Sequence, residues 1–203
     1  LHKGFGPAVP SCHHCLLKAP DMRSGLSILL LSLTALVLFA CGDKPAAEPF
    51  SLVPMTGRAQ TPEMVPEFER DLMNGGTFTQ ADFDGKITLV NFWATWCGPC
   101  LVEIPEFVAL KEEWKDRPFE ILGVSMDEEG FDMVRPFAED FYMNYPQILD
   151  VQGELGEGFG GVYALPGTFV VGSDGKILSG YLGLFPIKEY MPDLEMLVAE
   201  LEG

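Results

Sequence analysis

The tetrad Cys97-Gly98-Pro99-Cys100, preceded by Trp96, stands where an apolar run, Ile87 to Trp93, gives way to a helix-compatible stretch beginning Leu101-Val102-Glu103-Ile104. Few features constrain a chain more. The first sulfur of such a junction lies among unpaired N–H groups at a helix N-terminus, where the helix dipole favours a thiolate. Cys97 is therefore the expected nucleophile. Cys100, one turn inward, can attack a mixed disulfide at Cys97, release the reduced partner and close a Cys97–Cys100 disulfide. The pattern reads as thiol–disulfide exchange.

Upstream, Met22-Arg23-Ser24 and the apolar run Leu26 to Phe39 have the charged start and apolar core of a secretory signal, too short for a comfortable membrane span. The run ends in Leu38-Phe39-Ala40-Cys41, which resembles a bacterial lipobox and makes Cys41 the expected lipidated N-terminus, although Phe39 is bulkier than that motif prefers. Residues 22–40 are then a lipoprotein-type signal. Residues 1–21, which precede a natural start at Met22, read as an over-extended reading frame. Cys12-His13-His14-Cys15 lies in that leader and matches none of the usual zinc spacings. With His2, these are the only histidines, so a chain processed at Cys41 has none, which excludes histidine-based catalysis and histidine-ligated metals. No metal or other cofactor is expected.

The chain carries 13 basic and 30 acidic side chains, a net −17, and without residues 1–41 the balance is 10 against 29. Such a surface repels nucleic acid and anionic head groups. Residues 41–76, interrupted by Pro45, Pro49, Pro54, Pro62 and Pro66, read as a Pro-rich tether with a short helix near Glu63 to Met73. Residues 77–203 suffice for one α/β domain. Its expected elements are an edge strand at Thr77–Phe83, a strand at Ile87–Trp93, and a helix from about Pro99 to Lys115 kinked at Pro105. A strand at Phe119–Val124 and a helix at Phe131–Tyr142 follow. After a helical turn at Glu154–Phe159 come a hairpin, Thr168–Val171 and Ile177–Leu182 around Asp174-Gly175, and a closing helix from Pro186 to Leu201. The fold class is α/β, a central mixed sheet flanked by helices.

Val90-Asn91-Phe92-Trp93-Ala94-Thr95-Trp96-Cys97-Gly98-Pro99-Cys100, followed by Glu103, Pro105 and the distant Leu165-Pro166-Gly167-Thr168-Phe169, resembles the thioredoxin superfamily. More narrowly, it is similar to the TlpA/ResA-like branch of bacterial, membrane-tethered, extracytoplasmic thiol–disulfide oxidoreductases. The resemblance implies a thioredoxin-like fold over residues 77–203, a cis Pro166 beside the dithiol whose backbone helps bind substrate, and an acidic residue at Glu103. It makes Trp96, Gly98, Pro99, Leu165 and Pro166 the expected substrate-binding set. Asn91 stands where thioredoxins proper have a titrating aspartate, so Glu103, over the same helix face, is its expected substitute in moving the proton of Cys100. Gly167 stands where the branch often has threonine, which bears on the shape of the groove.

Trp93, Phe92 and Trp114 read as core and Trp96 as an exposed flank of the sulfur, while Asp127-Glu128-Glu129 reads as a solvated turn. The resemblance and the Gly-Pro dipeptide favour reduction of disulfides in client proteins, apocytochrome c among them, with electrons from a membrane thiol relay. Two alternatives use the same cysteines. A peroxiredoxin-like thiol peroxidase needs Pro-x-x-x-Thr-x-x-Cys, but Val90 and Ala94 stand where Cys97 would need Pro and Thr. A non-enzymatic copper carrier would want Met or His ligands near Cys97, and the sequence shows none there.

Overall fold

The computed structural model describes residues 62–203. The expected signal segment, Cys41, and the cysteines and histidines of residues 1–21 lie outside the described residues. No helix among those described is long and apolar enough to cross a membrane.

Eleven elements follow in chain order: β1 (Glu69–Asp71), β2 (Thr77–Thr79), β3 (Ile87–Trp93), α1 (Cys100–Glu113), β4 (Phe119–Ser125), α2 (Phe131–Asp140), β5 (Gln147–Leu149), α3 (Glu154–Gly158), β6 (Gly167–Val171), β7 (Ile177–Leu182) and α4 (Ile187–Glu202). A five-stranded mixed sheet runs β5-β4-β3-β6-β7. The first three of these strands are parallel, and β6 and β7 run antiparallel to their neighbours. Central β3 is buried at every position, so its sequence is a continuous run rather than an alternation.

Residues of alternate parity on β3 serve two different cores. Ile87 and Leu89 join Phe107 and Leu110 of α1 and Tyr190, Leu194 and Val198 of α4. Val90 and Phe92 face the other way, toward Phe159 and the aromatic group of Phe68, Phe78 and Phe83. At the end of the strand, Trp93 packs with Cys97, Cys100, Ile104 and Val134. Its ring stands 5.2 Å from Phe137, and its Nε1–H donates to Gln147 Oε1 at 3.0 Å. The dithiol is thus seated on a packed floor.

Three departures from the sequence reading have plain causes. The segment expected as tether and short helix at Glu63 to Met73 is extended and belongs to the folded unit. Pro66 disfavours the helical backbone at Val65 before it, and Val65 N–H donates to Gly175 O while Ile177 N–H donates to Glu63 O, both at 3.0 Å. Beyond them, β1 pairs with β2 and brings Phe68 onto Phe78 and Phe83, with ring centroids 6.3 and 6.2 Å apart. The second departure is that only Thr77–Thr79 of the expected edge strand is β; Gln80–Phe83 is a 3-10 turn. Asp82 Oδ2 there accepts from Thr79 N at 2.8 Å and Thr79 Oγ1 at 2.9 Å. The third is β5, which is three residues long and shows no periodicity to read.

Phe68 tests the earlier start of the domain. Phe68→Ala should lower unfolding free energy by about 3 kcal/mol, as for a buried aromatic truncated in a core. A denaturant titration of the full chain with an unchanged midpoint would return residues 62–71 to the tether.

Candidate active site

Cys97 and Cys100 are joined in a disulfide. Helix α1 begins at Cys100 with Pro99 at its cap, so Cys97 lies at the N-terminus of a 14-residue helix. The amide N–H of Cys100 donates to Cys97 Sγ at 3.3 Å as well as to Cys97 O at 3.0 Å. Reduction would leave a thiolate beside that amide and the positive end of the helix dipole. Both sulfurs are buried in the disulfide, Cys97 keeping 4% of its surface and Cys100 none.

The turn carrying Cys97 is tied down by a residue the sequence reading misplaced. Asp127, expected in a solvated turn, is wholly buried, whereas Glu128 and Glu129 are exposed. Its carboxylate accepts from Thr95 N at 3.0 Å, Thr95 Oγ1 at 2.6 Å and Ser125 Oγ at 2.8 Å. The loop between β3 and the dithiol is held to the end of β4, aided by Met126 N–H donating to Trp93 O at 2.9 Å. Thr95 and Asp127 are 32 residues apart and belong to no shared motif, so no sequence signal joined them.

One turn beyond Cys100, Glu103 is 1% exposed, so it is not a surface glutamate. Its Oε1 accepts from Asn91 Nδ2 at 2.7 Å and its Oε2 from the backbone N–H of Phe185 at 3.1 Å. Burial pushes its pKa up to about 7; the Phe185 and Asn91 hydrogen bonds oppose the rise and the Glu106 charge adds to it. The β3–β6 register sets Asn91 opposite Thr168.

The Leu165–Pro166 bond is cis, as the resemblance implies. An open groove of about 620 Å³ runs over the sulfur, lined by Trp96, Cys97, Gly98, Pro99 and Leu165 among others. Trp96 is 68% exposed, so the expected flank of the sulfur is in place. Pro166 is buried and does not line the groove, and its carbonyl accepts from Gly183 N–H at 2.7 Å. Gly167 has a steric reason. A Cβ there would lie 3.1 Å from Leu182 Cδ2 and 3.3 Å from Val162 Cγ1, and Val162 lines the groove.

Residues 62–179 match the AhpC/TSA family. The chain is 32% identical over 118 residues to the thiol-disulfide oxidoreductase ResA of Bacillus thuringiensis subsp. konkukian, covering 58% of this chain and 67% of that one. It is likewise 32% identical over 133 residues to ResA of Geobacillus thermodenitrificans, covering 64% and 75%. Among solved structures it is similar to a thiol:disulfide interchange protein of the thioredoxin family from Chlorobium tepidum. That match has a TM-score of 0.60 and 28% identity, over 68% of this chain and 97% of the other. The fold is thioredoxin-like.

A carboxyl whose pKa is higher folded than unfolded binds its proton more tightly when folded, so its contribution is full below the unfolded value and is lost as pH rises through the folded one. Stability should therefore fall between about pH 4.5 and 7, by up to roughly 3 kcal/mol for that rise. Glu103→Gln should flatten this part of the curve in denaturant titrations run at several pH values. A slope that survives the substitution would belong to another group.

Proposed function

The chain belongs to the AhpC/TSA family of thioredoxin-like proteins and is a thiol–disulfide oxidoreductase, and from that premise we propose that it works outside the cytoplasm, on a lipid anchor at Cys41, reducing disulfides in client proteins. The observation that carries the mechanism is the buried Glu103 carboxyl, one helical turn from the resolving sulfur.

In the reduced protein, the Cys97 thiolate attacks a client disulfide. One client sulfur leaves as a thiolate and takes a proton, and the other stays bonded to Cys97. Cys100 must then lose its proton. Asn91 cannot take it, and among the described residues there is no histidine. Glu103 accepts it, with a pKa near 7 that lets it hold and release a proton at neutral pH. The Cys100 thiolate attacks Cys97 Sγ, the mixed disulfide breaks, and the second client sulfur leaves as a thiolate that takes up a proton. Two electrons have passed to the client, and the Cys97–Cys100 disulfide remains for a membrane thiol relay to reduce.

The groove supports a polypeptide as the client. Trp96 and Leu165 offer apolar contact in the groove that Cys97 lines. Pro166 has no N–H and its carbonyl is already paired with Gly183, so backbone pairing with a client strand falls to Ala164 and Leu165. Apocytochrome c is one such client that the ResA resemblance supports. Of the ligands a copper carrier would want, one methionine, Met126, lines the groove with Cys97, and among the described residues there is no histidine to join it.

Cys100→Ser should accumulate mixed disulfides through Cys97, whereas Cys97→Ser should form none. Non-reducing gels of cells expressing each variant read this directly, and trapping through both positions alike would overturn the division of roles. For the anchor, membrane-extracted protein should have the mass of residues 41–203 plus a lipid adduct, and Cys41→Ala should shift it to the soluble extracytoplasmic fraction. An unlipidated mature N-terminus elsewhere would end that part of the proposal.

A further inference from the structure

The two oxygens of Glu103 meet donors of different kinds. The N–H of Phe185, which faces Oε2, is part of the backbone and cannot become an acceptor. A proton on this carboxyl therefore has its hydrogen-bonded place on Oε1. There it meets the side-chain amide of Asn91, whose Nδ2 lies 2.7 Å away and donates to the same oxygen. Two donors cannot share that contact. Nδ2 also donates to Thr168 Oγ1 at 3.0 Å, and Asn91 Oδ1 has no hydrogen-bond partner. Asn91, Glu103 and Thr168 are all buried, so water does not relieve the conflict.

A half-turn of the amide does. The terminal torsion of asparagine is broad and two-fold, and turning it places Oδ1 where Nδ2 stood. Oδ1 then accepts from the Glu103 O–H and from the Thr168 hydroxyl, which can donate as readily as accept. The turn breaks no bond on the far side of the amide, because Oδ1 holds none, and it carries the two Nδ2 donors from Glu103 and Thr168 to that side. The geometry points to Asn91 as a positioning residue that turns its amide each time Glu103 gains or loses a proton, while Thr168 reverses from acceptor to donor. The carboxyl thereby keeps a matched partner in both of its charge states. This rests on the reading of Glu103 as the acceptor of the Cys100 proton.

The other titratable groups acting on Glu103 are few. Glu106 on the same helix raises its pKa, and the buried Tyr145 hydroxyl ahead of β5 is itself held well above its ordinary value, by burial first and by the Glu103 charge second. Cys97 and Cys100 do not titrate while joined. In the oxidised full chain, the side-chain amide of Asn91 can therefore be followed by nitrogen-15 NMR across the neutral range.

Its two protons should shift with a midpoint near 7, shared with the Glu103 carboxyl carbon, and the shift should vanish in Glu103→Gln. Cross-relaxation from the Nδ2 protons to the Thr168 methyl should be present above the midpoint and lost below it. If that contact persists at both ends while the Glu103 carbon titrates, the amide does not turn and the proposal falls, with Glu103 still standing as the acceptor. Asn91→Leu, which neither donates nor accepts, should slow release of client from the mixed disulfide about tenfold or more. An unaltered rate would remove the positioning role. Should that variant fail to fold, the NMR contact in the unaltered chain decides alone. If Glu103→Gln retains full activity, the acceptor reading fails and takes the role of Asn91 with it.

Discussion

Strand β3 is paired on both edges and covered on both faces, so its two polar side chains, Thr88 and Asn91, have no route to water. A buried amide must find partners inside the protein or cost free energy on the scale of a lost hydrogen bond. Asn91 finds Glu103 on α1 and Thr168 on β6, and through them the central strand, the active-site helix and the strand after the cis proline are joined by one polar contact group. The same strand delivers Trp93 to the floor of the dithiol. The site is thus an outgrowth of the innermost strand, and its chemistry draws on the dry surroundings that strand creates.

Much of this was legible from residues alone. The continuous apolar run at Ile87–Trp93, the turn residues Asp174-Gly175 and the Cys97–Cys100 spacing each carry a local signal, and the elements they implied are present. Glu103 could be nominated because the family resemblance implies an acid there and a spacing of three residues puts it over the same helix face as Cys100. Its burial could not, since that depends on Phe185, 82 residues away, and on a helix whose own hydrophobic pattern is weak enough to carry a buried acid.

The misreadings share one cause. Asp127 sits in an acidic run that locally resembles a solvated turn, yet its partner Thr95 comes from a different strand end. Residues 63–71 hold Pro66 and four acidic side chains, and the turn at Gly175, the pairing of β1 with β2 and the aromatic pair Phe78 and Phe83 draw them into the fold. Where a residue's environment is supplied by distant chain, composition reports the wrong neighbourhood. Gly167 is the converse case: an apparent departure from a family pattern at a position where a Cβ would press on the side chains of Leu182 and Val162.

The inclusion of residues 62–76 in the domain also fixes a distance. With Cys41 as the proposed attachment point, twenty residues, 42–61, lie between the anchor and the first residue described. Twenty residues fully extended reach at most about 70 Å, whereas a linker running to Gly76 would have reached roughly 120 Å. A dithiol held on such an anchor would meet clients and electron donors whose sulfurs lie within that reach of the membrane surface, and would miss those that stay farther off.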